Sequence, residues 1–464
     1  GVQTCALPIL FMGLSVVILA AGKGTRMKST KPKVLHPVAK QSLLSHVIST
    51  AEGLKPTSIH IVYGFGGEQV KSEINRTDIH WVEQKEQLGT GHAVNQAMPN
   101  IPDEDTVLVL YGDVPLTKQD TLAAMVAGSG EQYFSLLTVT LENPAGYGRI
   151  VRSVLGHVLK IVEEKDADSD IKQINEVNTG ILCANSGALK KWLNQLTNEN
   201  AQGEYYLTDV IASAVAEGIQ IQTHQPEQFE EVLGVNDRLQ LAHLERFYQQ
   251  QRTADYMTEG VTFLDPHRVD FRGNVTFGQD VTIDINVIFE GNVTIGNNVT
   301  IHANSIIKNA TIDDNTEIQA NCIIEDSVIG KKANIGPYAR LRPGSELANN
   351  VKIGNFVEIK KATIADGSKV NHLSYIGDTT MGANVNVGAG AITCNYDGAY
   401  KHQTVIGDNV FIGSDCQLIA PVTVEAGATI GAGSTITKTA PGNQLTLSRG
   451  KQISLQNWQR PTKK

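Results

Sequence analysis

The chain lacks most of what an exported or membrane-inserted protein carries. Its five cysteines, Cys5, Cys183, Cys322, Cys394 and Cys416, are odd in number, widely scattered and form no CxxC pair. That excludes a disulfide framework and a cysteine zinc site, and fits reduced thiols in a cytoplasmic protein. No apolar run approaches the roughly 20 residues of a membrane-spanning helix. Basic residues are not in excess: the net charge is -9, which argues against a general nucleic-acid binder yet leaves room for local Lys and Arg to hold phosphates. Two phosphate signatures are also missing. Met27 stands where G-x-G-x-x-G would need its third glycine, and there is no G-x-x-x-x-G-K-[ST] string. Residues 1–11 have neither an initiator Met nor a basic n-region, so they read as a foreign leader, not a signal peptide.

What is present divides by period. The 464 residues exceed one ordinary core. From Ser15 to about Leu233, short apolar runs alternate with longer amphipathic stretches. Ser15–Ala21, Ile59–Tyr63 and Thr106–Tyr111 read as buried strands, and Leu43–Ala51 as a helix. This is an α/β, Rossmann-like pattern with a mainly parallel sheet. Asp237–Met257, with Leu241, Leu244 and Tyr248 at helical spacing, reads as a linking helix. The expected division is thus 12–236, a helix over 237–257, and a second domain over 258–464.

In that second domain the period becomes six. Phe277, Ile283, Phe289, Ile295, Ile301 and Ile307 follow one another at this step, as do Ile329 to Ile359 and Ile406 to Ile436. No α-helix keeps one face at period six, because 3.6 residues per turn rotate it away. A triangular parallel β-helix does, with one short strand and one turn per side and the aliphatics buried by stacking. The rhythm fails between Ala391 and Ile406, and insertions in solenoids loop out on one face, often the binding face; a tolerated surface loop is the alternative.

The first buried strand runs directly into Leu19-Ala20-Ala21-Gly22-Lys-Gly24-Thr-Arg26-Met. Small residues there let backbone N–H groups approach a phosphate chain, with Arg26 and Lys33 supplying positive charge. A glycine turn alone could be purely structural. The whole string, followed by Lys31-Pro-Lys33, resembles the sugar-nucleotide pyrophosphorylase family. So do Gln84-Lys-Glu-Gln87-Leu-Gly89-Thr90, Tyr111-Gly112-Asp113, Gly146-Tyr-Gly148, Ile161-Val-Glu163, Glu176-Val-Asn178, Glu204-Tyr-Tyr206 and Gly234-Val-Asn236. The resemblance implies that Arg26 and Lys33 are catalytic. It further implies that Leu19, Ala20, Ala21, Gly22, Lys33, Gln84, Gly89, Thr90, Tyr111, Gly112, Asp113, Gly148, Glu163, Asn178 and Asn236 bind the nucleotide and its sugar. In such a reaction a sugar 1-phosphate oxygen attacks the α-phosphorus of a nucleoside triphosphate, so charge neutralisation and in-line positioning dominate. Asp113 and Asn236 would hold magnesium (Mg2+) together with phosphate oxygens; in isolation Asp113 reads more readily as a turn or capping residue, and the motif set reverses that preference.

In the repeat domain, His372 lies between the inward slots Val370 and Ser374, and Arg342, Lys360 and Tyr375 each follow an inward residue. None of the four occupies a core slot, although a lone surface histidine is usually just solvated. His372-Leu-Ser-Tyr375-Ile-Gly-Asp and Asn386-Val-Gly-Ala389 through Asn395-Tyr396-Asp-Gly, together with the first half, resemble the bacterial family of bifunctional N-acetylglucosamine-1-phosphate uridylyltransferases and glucosamine-1-phosphate acetyltransferases. The likeness covers about Ser15 to Lys464. It implies a left-handed hexapeptide β-helix, a homotrimer with acetyl-transfer sites shared between chains, and the substrates UTP, sugar 1-phosphates and acetyl-CoA. No nucleic acid and no membrane insertion are implied. His372 would be the acetyl-transfer base. Arg342, Lys360, Tyr375, Asn386 and Lys401 would hold the sugar phosphate. Ala389, Asn395, Tyr396, Ser414, Ala432 and Arg449 would serve acetyl-CoA, the amino sugar or the base. The product would be UDP-N-acetylglucosamine, a precursor of cell-wall polymers. Two rivals stay open: a nucleotidyltransferase with a purely structural or regulatory β-helix, and a non-catalytic scaffold that binds a nucleotide sugar.

Overall fold

The structure, a computed structural model, describes residues 13–130 and 132–463; the leader expected at 1–11 lies outside these. Two compact units divide after Tyr248, within the helix Arg238–Thr258.

The first unit is built on one nine-stranded sheet. Its strands are β1 (Leu14–Ala20), β2 (Ser58–Tyr63), β3 (His80–Glu83), β4 (Thr106–Tyr111), β5 (Tyr133–Thr140), β6 (Arg149–Arg152), β7 (Val158–Val162), β8 (Glu176–Asn185) and β9 (Gln220–His224). The order is β9-β5-β8-β4-β1-β2-β3, with β6 bridging β8 and β7 beside it. β4, β1, β2 and β3 are mutually parallel, and β9 is parallel to β5. β8 runs antiparallel to both its neighbours, an inversion that the apolar runs alone do not reveal. The sheet is mainly parallel, as its hydrophobic runs imply, because both faces are covered. Val16 and Ile18 of β1 pack with Leu44, Ile61 and Leu108 on one side. Val17 and Leu19 pack with Val62, Val94 and Val109 on the other. Strands buried on both sides cannot alternate polar with apolar, hence the unbroken Ser15–Ala21 run. The helix Leu43–Gly53 opens with Ser42, whose hydroxyl accepts the Ser45 N–H at 3.1 Å.

The second unit is a parallel β-helix. Most coils take 17 or 18 residues, as seen in the pairs Ile283↔Ile301 and Ile301↔Ile318. Three steps of six make the longer coil. In the shorter one a step of five replaces a step of six, as between Ile307 and Ile312 or Ile359 and Ile364, and all four residues are fully buried. The aliphatic ladder is therefore continuous where the six-residue rhythm seems to pause. Corners carry Asn in the left-handed region, such as Asn298 (φ 53°) and Asn315 (φ 58°), which short polar side chains tolerate. Neighbouring corners bond: Asn286 donates to Asn304 at 2.9 Å and Asn297 to Asp314 at 3.0 Å.

The expected break after Ala391 comes later. Ile392, Thr393 and Cys394 still pair with Gln417, Leu418 and Ile419. Thr393 fills an inward slot while its hydroxyl accepts from the Gly377 N–H at 2.7 Å and donates to the Gly377 carbonyl at 3.1 Å. A polar residue satisfied in this way is invisible to a hydrophobic count. The chain leaves the ladder only beyond Asn395 and rejoins it at Thr404–Ile406.

Candidate functional site

The parallel strands of the first unit end at Ala20, Tyr63, Glu83 and Tyr111, the edge at which open α/β sheets bind ligands. A cleft of about 330 Å³ opens there, lined by Leu19, Ala20, Ala21, Gly22, Lys33, Gln84, Gly89, Thr90, Tyr111 and Asp113 from the expected set. Val34, Gln87, Ala93 and Glu204 also line it, though the sequence reading gave them no role. Gln87 and Glu204 stood inside the quoted motifs; nothing in the pattern singled them out.

Two glycines are required by close approach. A Cβ on Gly24, which sits at φ +59°, would fall 2.6 Å from Lys33 Cβ. One on Gly89, at φ +114°, would fall 2.6 Å from the Tyr205 carbonyl oxygen. The glycine turn thus lets Lys33 pass behind it into the cleft. There the Lys33 ammonium pairs with Asp113 Oδ2 and donates to Asn236 Oδ1 at 3.2 Å. Three residues more than two hundred positions apart at the extremes converge on one charge. Gln84 is buried and donates to the Gly89 carbonyl at 3.1 Å, which holds the turn before the helix Thr90–Ala97.

Beyond Tyr111 lies a smaller recess lined by Asn178, Ile161 and Thr208. The Asn178 N–H donates to the Gly148 carbonyl at 2.8 Å, and a Cβ on Gly148 would stand 3.4 Å from the Glu163 carboxylate oxygens. Thr208 donates to Glu163 Oε1 at 3.0 Å. Burial pushes the Glu163 carboxyl above the usual range, and burial likewise pushes the Tyr111 phenol up. Gly112 packs under the cleft, where a Cβ would meet the Leu19 carbonyl at 3.3 Å. Arg26 is not brought in: it is exposed on the short helix Thr25–Met27 and is not among the cleft-lining residues.

In the second unit His372, Arg342, Lys360 and Tyr375 all stand outside the buried ladder. His372 begins a column along one corner of the prism. The Gly390 N–H donates to the His372 carbonyl at 3.3 Å, the Asp415 N–H to that of Ala389 at 2.8 Å, and the Gly433 N–H to that of Ser414 at 2.8 Å. Arg449 Nη1 then donates to the Ala432 carbonyl at 3.0 Å. His372, Ala389, Ser414, Ala432 and Arg449, spread over 78 positions of sequence numbering from 372 to 449, so follow one another coil by coil. His372 Nδ1 is 2.8 Å from the Asn355 amide oxygen, one coil earlier.

On the adjoining face Leu341 pairs with Ile359, so Arg342 and Lys360 come side by side. Arg342 also bridges to Glu358 at 2.8 Å. Asn395 is buried at the start of the loop and donates to Asp378 Oδ2 at 2.5 Å and to the Tyr375 hydroxyl at 3.3 Å. Lys401 lies over the exposed Tyr396 ring, 4.4 Å from its centre. Asp397 accepts from His402 at 2.6 Å, and that bond, with two backbone N–H donors, holds its carboxyl well below the usual range. Asn386 belongs to a different sheet, paired with Lys369 and Phe411, and the structure does not join it to Arg342, Lys360 or Tyr375 within the chain. Among the described residues no group of three or more His, Cys, Asp or Glu is disposed to hold a metal, and no helix is long and apolar enough to cross a membrane.

Family comparisons follow the same division. Residues 16–176 match the MobA-like NTP transferase domain, 271–353 the GMPPB C-terminal domain, and 403–438 the bacterial transferase hexapeptide (six repeats). Among solved structures, a nucleotidyl transferase from Methanothermobacter thermautotroptrophicus is 15% identical and covers 52% of this chain and 99% of its own, with a TM-score of 0.38. A UDP-glucose pyrophosphorylase complexed with UDP-glucose is 16% identical, covers 52% and 100%, and has a TM-score of 0.42. Two curated relatives span both units. The bifunctional protein GlmU of Marinobacter nauticus is 58% identical over 97% of this chain and 99% of its own length. That of Cupriavidus pinatubonensis is 54% identical over 97% and 99%. With likeness of that degree running through cleft and prism alike, the chain belongs to the family of bifunctional GlmU proteins.

Proposed function

We propose that the chain makes UDP-N-acetylglucosamine in two consecutive reactions, in the cytoplasm, as a supply for cell-wall and lipopolysaccharide polymers. The second unit transfers acetyl from acetyl-CoA to glucosamine 1-phosphate. The first unit then couples the product to UTP and releases pyrophosphate. The observation that carries this reading is that His372, Ala389, Ser414, Ala432 and Arg449, the residues the resemblance assigns to acetyl transfer, fall at one corner of successive coils in a chain 58% identical to a bifunctional relative over 97% of its length. It favours the two-reaction enzyme over a nucleotidyltransferase with an inert β-helix.

For acetyl transfer, His372 takes a proton from the ammonium of glucosamine 1-phosphate, since an ammonium has no lone pair to attack with. The amine then attacks the thioester carbon, the C–S bond breaks, and the thiolate leaves with the electron pair. Over the reaction the nitrogen gives up two protons, one through His372 to solvent and one to the departing thiolate. The neighbouring cations Arg342 and Lys360 hold the sugar phosphate, with Tyr375. Backbone N–H near Ala389 meets the developing oxyanion. Asn395, Tyr396, Ser414, Ala432 and Arg449 receive the amino sugar and acetyl-CoA, and Lys401 reaches over Tyr396. Because Asn386 stands on another face, a phosphate site that uses it together with Arg342 draws the two from different chains. This supports a homotrimer.

For uridylyl transfer, the sugar 1-phosphate oxygen attacks the α-phosphorus of UTP while the bond to the leaving pyrophosphate breaks. Backbone N–H groups of the Leu19–Gly22 turn and the Lys33 ammonium neutralise the phosphates. Gln84, Gly89 and Thr90 receive the base, while Gly148, Glu163 and Asn178 receive the sugar. The Asp113 and Asn236 oxygens already converge on one cation, the Lys33 ammonium, and this hard oxygen pair fits magnesium. When bound, the metal would supply positive charge to neutralise the phosphates.

Incubation with glucosamine 1-phosphate, acetyl-CoA, UTP and magnesium, each omitted in turn, tests the scheme. Every omission stops UDP-N-acetylglucosamine, and N-acetylglucosamine 1-phosphate replaces the first two reagents. A chain that needs acetylated sugar from outside under all conditions is a nucleotidyltransferase alone.

A further inference from the structure

Asn355 carries no role in the reading above, yet among the described residues it is the side chain that grips the His372 ring. The two residues are paired across adjacent coils, 17 residues apart, with His372 Nδ1 2.8 Å from Asn355 Oδ1. An amide oxygen only accepts, so Nδ1 must carry the proton. The histidine is held from its main chain too: its carbonyl accepts from the Ser374 hydroxyl at 2.8 Å and from the Gly390 N–H at 3.3 Å. The backbone under the ring is therefore fixed, and among the described residues the ring itself has one polar partner. Resting on the assignment of His372 as the base, we propose that Asn355 is a positioning residue for acetyl transfer: by accepting the Nδ1 proton it locks the imidazole in the tautomer whose Nε2 lone pair faces the substrate amine.

The physical need is plain. A neutral imidazole free in water carries its proton mainly on Nε2, which leaves the wrong nitrogen basic for a group presenting Nε2 outward. A hydrogen bond to the other nitrogen selects the useful tautomer and fixes the ring plane, as orienting partners of catalytic and metal-bound histidines do. A neutral acceptor does this without adding charge. Ionisable groups on the strands around His372 are few. Lys369 and Tyr375 lie three residues to either side and Asp378 further along the same coil, Lys352, Glu358, Lys360 and Lys361 lie in the preceding coil, and the following coil has none between Asn386 and Ile392. Asn355 is thus the lever on this base that introduces no charge.

The test compares the full-length enzyme with Asn355→Ala, Asn355→Asp and His372→Ala, following acetyl transfer across pH, with uridylyl transfer as the internal reference. Asn355→Ala is expected to lower kcat for acetyl transfer by about tenfold, with KM for acetyl-CoA little changed. Asn355→Asp keeps the acceptor and adds a charge, so it restores most of the rate and moves the acidic limb of the profile up by about one unit. Uridylyl transfer stays at the parent rate in both. If Asn355→Ala loses its strand content, the Asp variant decides by its rate and its acidic limb. An Asp variant as slow as the Ala variant, or one with the parent's acidic limb, overturns the proposal. So do two Asn355 variants of parental rate beside an inactive His372→Ala, which leaves His372 as the base. Full acetyl transfer in His372→Ala sinks both readings together.

Discussion

At the scale of single residues, the first unit's cleft depends on a lysine held by two oxygens and a glycine that clears its path. Removing the carboxylate charge should be felt in one reaction only. Asp113→Asn is expected to slow uridylyl transfer by about a hundredfold, with most of the loss at limiting magnesium, and to spare acetyl transfer. Uridylyl rates at several magnesium concentrations check this, and a parental rate at the lowest removes Asp113 from the metal's ligands. Gly24→Ala sets a methyl 2.6 Å from Lys33 Cβ, at a backbone angle that L residues rarely adopt. The variant should lose about 1–2 kcal/mol of stability from backbone strain and shift Lys33, so that KM for UTP rises. Chemical denaturation and steady-state kinetics read the two effects separately. These glycines and charges were legible in the sequence because a phosphate loop needs small residues and cations in fixed order. Asn355 was not: its partner lies one coil away, and a linear pattern does not mark which outward residues of successive coils meet.

At the scale of elements, the strands of the first unit carry a buried polar chain at the end opposite the cleft. His60 of β2 shares a hydrogen bond with the Ser58 hydroxyl at 2.9 Å, Ser58 with Ser15 at 2.9 Å, and Ser15 donates to Asp105 at 2.7 Å. The His60 ring stacks on His80 of β3 at 4.7 Å. Burial, and secondarily the charge of His80, pulls the His60 pKa from 6.5 down to about 4. The folded imidazole thus stays neutral where the unfolded one takes a proton. Between pH 6.5 and 4 the unfolded state binds more protons, so stability is full above 6.5 and lost as pH falls through that window, by about 3 kcal/mol at most. His60→Gln should flatten this slope in urea unfolding; an unchanged slope relocates the effect to other groups. The parallel strands themselves were readable from their unbroken apolar runs. The inverted β8 was not, since a strand covered on both faces looks the same in either direction. The five-residue steps and Thr393 escaped for a related reason: a periodic count sees apolarity and a fixed stride, whereas burial needs only shape and a satisfied hydroxyl.

At the scale of the whole molecule, two units are expected to serve consecutive reactions, and the residues proposed for the acetyl-transfer phosphate site lie on two faces of the prism. Arg342 and Lys360 stand on one face of the prism and Asn386 on another. If the acetyl-transfer site draws them from neighbouring chains, Arg342→Ala and Asn386→Ala proteins, each impaired by about tenfold or more, should regain part of the activity when co-expressed. A mixed assembly of three chains then contains some sites with both residues intact. Co-expressed variants no more active than either parent would assign both residues to the same chain's site. The pairing of the halves was readable in the sequence because each half declares a different period. Which chain supplies which residue was not, because a stride of six fixes what faces in and is silent about what stands beyond the wall.

The segment beyond Asn395 departs from the prism and re-enters it with the stacking preserved: Ile392 pairs with Gln417, and Val387 with Ile412, as if nothing intervened. The scaffold therefore imposes no length on that excursion. It behaves as an excursion whose length the rungs do not dictate, since those above and below it stay aligned.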